Sequence, residues 1–247
     1  MKKTAQRTEI SPGIEIIGLT LYLRDEDALV FSDLHLGFEE ELRQMGIPVP
    51  RFQYDEITAH LSSVFSTLGK KPEKVIINGD LKHEFGRVSQ QEWKEVLSFL
   101  DFLSENCKKI ILIRGNHDNI LGPIASRKNI TVADRFFFEK RRIYLTHGHR
   151  IPRDKDFSQA RTVIIGHNHP AITLSNGVRT EKMKCFLKGP WEEKTIIETP
   201  SLNFIAEGSD LLSEESLSPF LKKSMGELEA YCIEGFELLY FGKLKNL

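Results

Sequence analysis

Five short apolar runs, rich in Ile and Val and without polar alternation, set the framework of this chain. They are Ala28–Phe31, Val75–Ile77, Ile110–Ile113, Ile143–Leu145 and Val163–Ile165. Runs of this length and composition predict strands buried on both faces, the condition of a parallel sheet covered on each side. Between the first three, the period changes. Ile57, Leu61, Val64, Phe65 and Leu68 recur at helical spacing, with Pro50 before them and Gly69 after. Trp93, Val96, Leu97, Leu100 and Leu103 do the same, and Ser89 with Glu92 forms an S-x-x-E capping-box pattern ahead of them. Strand–helix–strand alternation predicts parallel pairing through crossover helices.

After His169 the texture becomes β-rich. Ala171–Leu174, Val178–Leu187 and Thr195–Ile197 predict a meander, with a turn at Ser175-Asn176-Gly177. Tyr231–Ile233 and Phe236–Tyr240 predict a closing hairpin around Glu234-Gly235, and polar Glu207–Ser218 predicts a loop. There is no internal repeat or low-complexity tract. The pattern fits an α/β sandwich of two mixed β-sheets flanked by α-helices better than two independent domains.

Composition narrows the class only a little. The 247 residues are 40% hydrophobic and 28% charged, with a net charge of −1, ordinary for a globular protein with one sizeable core. The near-neutral total gives no strong signal for nucleic acid. Three widely spaced cysteines, Cys107, Cys185 and Cys232, suggest neither a disulfide framework nor a thiolate metal site. Met1-Lys2-Lys3 could open a signal peptide, but Glu9 and Glu15 interrupt any apolar stretch after it, and no run reaches membrane-spanning length. The expectation is a cytoplasmic protein without membrane attachment; its oligomeric state is open.

The chemistry lies directly after the strands. Asp33-Leu34-His35, Gly79-Asp80, Gly115-Asn116-His117-Asp118, His147-Gly148-His149 and Gly166-His167-Asn168-His169 each follow an apolar run, with His83 trailing the second. Six of the eight histidines fall in these segments. Open α/β sheets bind ligands at the carboxyl ends of their strands, so the segments are expected to converge on one edge. Carboxylate, carboxamide and imidazole donors suit Mn, Fe, Zn or Co better than Ca or Mg. Such a set can hold two divalent cations bridged by one carboxylate, an arrangement suited to in-line displacement at phosphorus.

On these motifs, over about residues 28–170, the chain resembles the calcineurin-like metallophosphoesterases. The resemblance implies a single phosphoesterase domain over 1–247, with the β-rich part 171–247 appended and no separate capping domain. It implies two metal ions, Mn first, with Fe, Zn, Co or Ni as alternatives. One metal would take Asp33, His35, Asp80 and His169; the other would take Asp80, Asn116, His147 and His167. His117 would protonate the leaving oxygen or stabilise transition-state charge, and Asp118 would orient it. Ser32–Glu39, Gly79–Gly86 and Cys185-Phe186-Leu187-Lys188-Gly189 are similar to the archaeal SbcD-related phosphoesterases. That likeness implies a nuclease acting on DNA in repair or processing, with a helicase or other repair protein as partner. The alternatives are a phosphatase or phosphodiesterase for a small nucleotide-like substrate and, ranked lower, a non-catalytic scaffold. Only 78 residues follow His169, little room for the DNA-handling domain of SbcD nucleases, and His83 and Glu84 alter the common G-D-x-x-D/E pattern.

Other polar groups have plainer readings beside the sharp ones. His60, inside the first helix, reads as a satisfied polar residue. His83 stands between a site-wall residue and a plain loop histidine. His149 could compete with His147, sit behind it, or contact substrate with Arg150. Residues 139–161 carry seven Lys or Arg against three acids, either a phosphate-contacting stretch or a solvated loop. Lys182, Lys184 and Lys188 alternate along a predicted strand, as a basic face or as the exposed side of an edge strand. Phe136-Phe137-Phe138 reads as core rather than a base-stacking platform.

Overall fold

A computed structural model describes residues 6–84, 89–118, 129–175, 177, 180–222 and 225–247. The first sheet runs in chain order: β1 (Arg7–Ser11), β2 (Ile14–Ile17), β3 (Thr20–Leu23), β4 (Ala28–Phe31), β5 (Lys74–Asn78), β6 (Lys109–Ile113) and β7 (Ile130–Ala133). β1 to β4 pair antiparallel, and β4 to β7 pair parallel. The second sheet contains β8 (Phe136–Phe138), β9 (Ile143–Leu145), β10 (Thr162–Ile165), β11 (Pro170–Ser175), β12 (Thr180–Trp191), β13 (Lys194–Glu198), β14 (Ser209–Asp210), β15 (Glu229–Glu234) and β16 (Glu237–Lys243). Its order is β14-β11-β12-β13-β10-β9-β8, with β15 on β12 and β16 on β15. Four helices are described: α1 (Phe38–Gln44), α2 (Gln53–Leu68), α3 (Gln90–Asn106) and α4 (Lys155–Gln159). No helix among the described residues is long and apolar enough to cross a membrane.

The five apolar runs are the strands β4, β5, β6, β9 and β10, and their apolar side chains are buried on both faces. One core joins the first sheet to the apolar faces of α2 and α3 and to one face of the second sheet. A second core lies on the other face of the second sheet, around Phe157, Trp191 and Phe220. The Phe136–Phe138 stretch is core, as its sequence suggests. Phe136 and Phe138 face the first cluster and Phe137 the second, the two-residue period of a strand.

Several expectations change in detail. The Glu207–Ser218 loop contains a two-residue strand, β14, held parallel to β11, and Asp210 Oδ1 accepts the Thr173 amide at 3.3 Å. The turn residue Asn176 and the predicted strand start Val178 lie outside the described residues. From Thr180 the strand continues to Trp191, past the expected Leu187. The capping box forms by half. Ser89 Oγ accepts the Glu92 amide at 3.0 Å, but the Glu92 carboxylate turns away to the amides of His83 and Glu84, at 3.1 and 3.0 Å. The alternating lysines are neither a basic face nor an exposed edge. Lys184 Nζ donates to the carbonyls of Ser201 and Asn203, Lys188 Nζ donates to the carbonyl of Ile10, and Lys182 lies 3.8 Å from Glu214.

Both sheets present carboxyl ends at one edge, where direct bonds join them. Asn78 Nδ2 donates to the Thr146 carbonyl at 3.0 Å, and Ser32 Oγ lies 2.7 Å from Thr199 Oγ1. The Leu202 amide donates to the Ser32 carbonyl at 2.9 Å.

His60 behaves as its position in the helix suggests. It is buried, stacks on Phe236 with ring centroids 4.6 Å apart, and its Nε2 accepts the Leu19 amide at 3.0 Å. Burial pushes it down to about 4, so the folded chain holds it neutral. An unfolded histidine titrates near 6.5. Between these values the unfolded chain binds a proton that the folded chain refuses. This contribution to stability is therefore complete above pH 6.5 and is lost as pH falls toward 4. His60→Phe keeps the ring packing but leaves the Leu19 N–H without its acceptor, a cost of about 1–3 kcal/mol. In urea denaturation the wild type's advantage over this variant should shrink by roughly 2 kcal/mol from pH 7.5 to pH 5. A gap that does not change with pH would contradict a buried neutral His60.

Candidate metal centre

The loops after β4, β5, β6, β9 and β10 meet at the shared edge of the two sheets. They bring Asp33, His35, Asp80, Asn116, His147, His167 and His169 together. Asp33, His35, Asp80, His167 and His169 all have left-handed backbones, with φ between 48° and 78°. That conformation costs a non-glycine residue on the order of 1–3 kcal/mol and persists only where the surroundings over-determine it. It is concentrated on five residues of three loops, those after β4, β5 and β10, which meet at the shared edge.

Each aspartate has one oxygen tied by an amide and the other turned to the histidines. Asp33 Oδ2 accepts the His167 amide at 3.0 Å. Its Oδ1 is buried without a hydrogen-bond partner, 3.4 Å from His169 Nε2 and 3.7 Å from His147 Nδ1. Asp80 Oδ1 accepts the His117 amide at 2.9 Å. Its Oδ2 lies 3.2 Å from His147 Nε2 and 3.8 Å from His35 Nε2. His35 Nε2 and His169 Nε2 face each other at 3.2 Å, and His147 Nε2 is 3.1 Å from Asn116 Oδ1.

Three groups of donor atoms result. Asp33, His35 and His169 form one; Asp80, His147 and His167 form another, with Asn116 beside it; His35, His83 and His117 form a third, which shares His35 with the first. Asp80 Oδ2 lies between the first two. Donor atoms 3.1–3.8 Å apart are at the separation kept by ligands that share one cation through bonds of roughly 2.0–2.2 Å. The orphaned Asp33 oxygen and the opposed imidazole nitrogens are unfavourable without a cation between them. The residues therefore fit divalent metal, and the all-nitrogen and oxygen set suits Mn, Fe, Zn or Co.

The electrostatics agree. Burial would raise Asp33, but the charge and hydrogen bond of His169 and the charge of His147 outweigh it and hold the carboxylate well below its ordinary range. Asp80 is lowered to about 2: burial opposes the shift, and its contact with His147 prevails. His35 falls to about 3 and His167 to about 4, mainly through burial, so both present neutral rings. Burial also pushes His147 down, but its bond to Asp80 and the nearby Asp33 raise it to about 9. Its Nδ1 is 3.1 Å from the Asn78 carbonyl, which fixes the ring with Nε2 toward Asp80.

The neighbours differ from the sequence expectation in how His117 is held. His117 Nδ1 donates to the carbonyl of His83, and its Nε2 points to Asp80 Oδ2 at 4.0 Å. Asp118, expected to orient His117, instead accepts the Gly115 amide at 3.0 Å and closes the turn that carries Asn116 and His117. Burial and then the charge of Asp80 push Asp118 up to about 6. His83 is part of the site wall: its ring contacts Glu41, His35 and Phe38. His149 lies behind His147, with ring centroids 5.3 Å apart, and lines an open cavity of about 610 Å³ with Arg114, Asn116, Arg135 and Arg150. Of the basic stretch 139–161, Arg150 alone lines this cavity; Arg141 pairs with Asp25 instead.

Sequence reasoning missed Glu41, Asn78 and Lys82. Lys82 is fully buried and donates to the carbonyls of Glu84 and His117, tying together the two loops that carry Asp80 and His117. None of the three bears a spacing signal, since each acts through a helix position or a backbone carbonyl.

The model of the calcineurin-like phosphoesterase family matches residues 28–222, beyond the 28–170 of the motif resemblance and into the β-rich part. No curated protein matches the chain. Among solved structures, the Pseudomonas putida nuclease MPE is similar at 19% identity and TM-score 0.65, over 96% of this chain and all of that one. The phosphoesterase Yfce from E. coli is similar at 16% identity and TM-score 0.44, over 87% of this chain and 98% of that one.

Two glycines make the cluster possible by close approach. A Cβ on Gly79 would clash with the His147 side chain at Nδ1 and Cγ, and one on Gly115 would clash with Asp80 Oδ1. Gly79→Ala and Gly115→Ala should each cut divalent-metal content, measured by elemental analysis of the purified protein, by at least about tenfold, as loss of a ligand's support does. Gly69→Ala, at an open helix end, should leave it unchanged. Metal content equal to wild type in the first two variants would show that the donors need not sit as described.

Proposed function

The chain belongs to the calcineurin-like phosphoesterase family, the metal-dependent phosphoester hydrolases, and from that premise we propose that it cleaves phosphodiester bonds of DNA with two divalent cations, Mn foremost. The observation that carries the two-metal reading is the place of Asp80 Oδ2 between two separate donor groups. Residues 1–247 act as one catalytic unit in this reading, and repair or processing is the setting that the SbcD-like segments suggest; Phe85 and Gly86 of those segments lie outside the described residues.

Bound cations would supply a hydroxide near neutral pH and neutralise charge on the phosphoryl group. The remaining work falls to the chain. The bond from His117 Nδ1 to the His83 carbonyl keeps a proton on Nδ1, so Nε2 is the atom that gains and gives up the catalytic proton. The bond from the His117 amide to Asp80 Oδ1 would hold that ring beside the residues that would carry the metals. The cavity beside Asn116 carries Arg114, Arg135 and Arg150. Arg114 and Arg135 are each paired with an acid, Asp134 and Asp154, which positions their guanidinium groups at the rim. An open cavity beside Asn116, lined by three arginines of which two are paired with acids, accommodates a chain of phosphates better than a single monoester. This supports a polymer over a small nucleotide, as does the likeness over the full length of a nuclease.

The test is Mn-stimulated cleavage of single- and double-stranded DNA. His117→Gln should lower kcat by roughly 10²- to 10⁴-fold while Mn stays bound. Asp80→Ala should lose both Mn and activity. Equal rates for wild type and both variants would show that the site is wrongly assigned. Wild-type turnover of nucleotides without any of DNA would favour the small-molecule reading.

A further inference from the structure

We propose that Glu41 and His83 are positioning residues that fix the protonation pattern of the His35 ring. The proposal rests on the reading of His35 as a metal ligand. Glu41 lies on α1 and contacts Nε2 of His83 through its carboxylate. His83 Nδ1 lies 3.3 Å from His35 Nδ1. His35 Nε2, at the far side of the same ring, faces His169 Nε2 at 3.2 Å and Asp80 Oδ2 at 3.8 Å.

The hydrogen bonds along this path can be assigned from chemistry alone. An ionised carboxylate only accepts, so His83 Nε2 must carry the hydrogen. In a neutral ring the other nitrogen then accepts. His83 Nδ1 therefore takes the hydrogen from His35 Nδ1, and His35 Nε2 is left bare on the side of the donor cluster. The path Glu41–His83–His35 thus ends in a lone pair aimed where a cation would sit. Metal-bound imidazoles commonly give their second N–H to an outer partner, and this path supplies one through an intervening ring.

The His83 ring is held for this task. Its amide donates to Glu92 Oε1 at 3.1 Å and to the Leu36 carbonyl at 3.0 Å. The Phe38 ring packs on it with centroids 4.4 Å apart. Glu92 is available because it leaves its capping box unfinished. Both Phe38 and Glu41 lie on α1, so this short helix brings the carboxylate and the packing ring to His83 together.

Histidine nitrogen spectra of the metal-free chain read the ring directly, with His35→Gln identifying the resonances. The expected wild-type pattern has the hydrogen of His35 on Nδ1, and Glu41→Ala should redistribute it between the two nitrogens. A wild-type His35 carrying its hydrogen on Nε2 would overturn the proposal. Mn titration supplies the second measurement. Glu41→Ala and His83→Phe should weaken Mn binding roughly 10- to 100-fold. Glu41→Gln, whose amide oxygen still accepts from His83, should keep most of it. Wild-type affinity in both Glu41→Ala and His83→Phe would also overturn it. A wild type that takes up no Mn would sink the metal reading instead, and the nitrogen spectra would still decide the Glu41–His83 path.

Discussion

Asp80 is the residue that links two of the donor groups. The His117 amide occupies its Oδ1, which leaves only Oδ2, and Oδ2 lies between His147 on one side and His35 on the other. The geometry is imposed from several directions. The left-handed backbone at Asp80 turns the carboxylate inward, and Gly79 and Gly115 leave the space in which it and His147 meet. Without a cation, this carboxylate and the opposed imidazoles of His35 and His169 concentrate desolvated polar groups at one point. A fold tolerates such a cluster when something bound there repays the cost.

The sandwich is built to deliver that point. Parallel pairing from β4 to β7 and between β9 and β10 sends five chain segments out of their sheets on one side. Bonds between the sheets at the same edge, from Asn78 to the Thr146 carbonyl and between Ser32 and Thr199, hold the two halves of the cluster in register. Asn78 serves twice, since its own carbonyl also fixes the His147 ring. Site and sheet packing are therefore one construction.

Much of this was legible in the sequence, for a physical reason. Strands buried on both faces must be apolar throughout, so β4, β5, β6, β9 and β10 stand out, and the ligands follow because a parallel sheet exposes its loops there. β2 was hidden because Glu15 breaks its apolar pattern. In the fold Glu15 is buried at 8% exposure and paired with Arg7 and Arg24, which neutralise a charge that reads as surface. Glu41, Lys82 and the diverted Glu92 were hidden for a related reason. Their partners are backbone groups or side chains distant in sequence, and composition records neither. Asp118 was placed on His117 by family likeness, whereas the local turn gives its carboxylate a nearer amide on Gly115.

In the proposed reading, one oxygen of Asp80 would be shared by two cations. Electron paramagnetic resonance of the chain titrated with Mn(II) tests this sharing, because two Mn ions bridged by a common ligand couple magnetically and separate ions do not. The second equivalent of Mn should produce the spectrum of a spin-coupled pair, and Asp80→Asn, or loss of either donor group, should abolish it. Saturation at one Mn, or two Mn ions with uncoupled spectra, would contradict it.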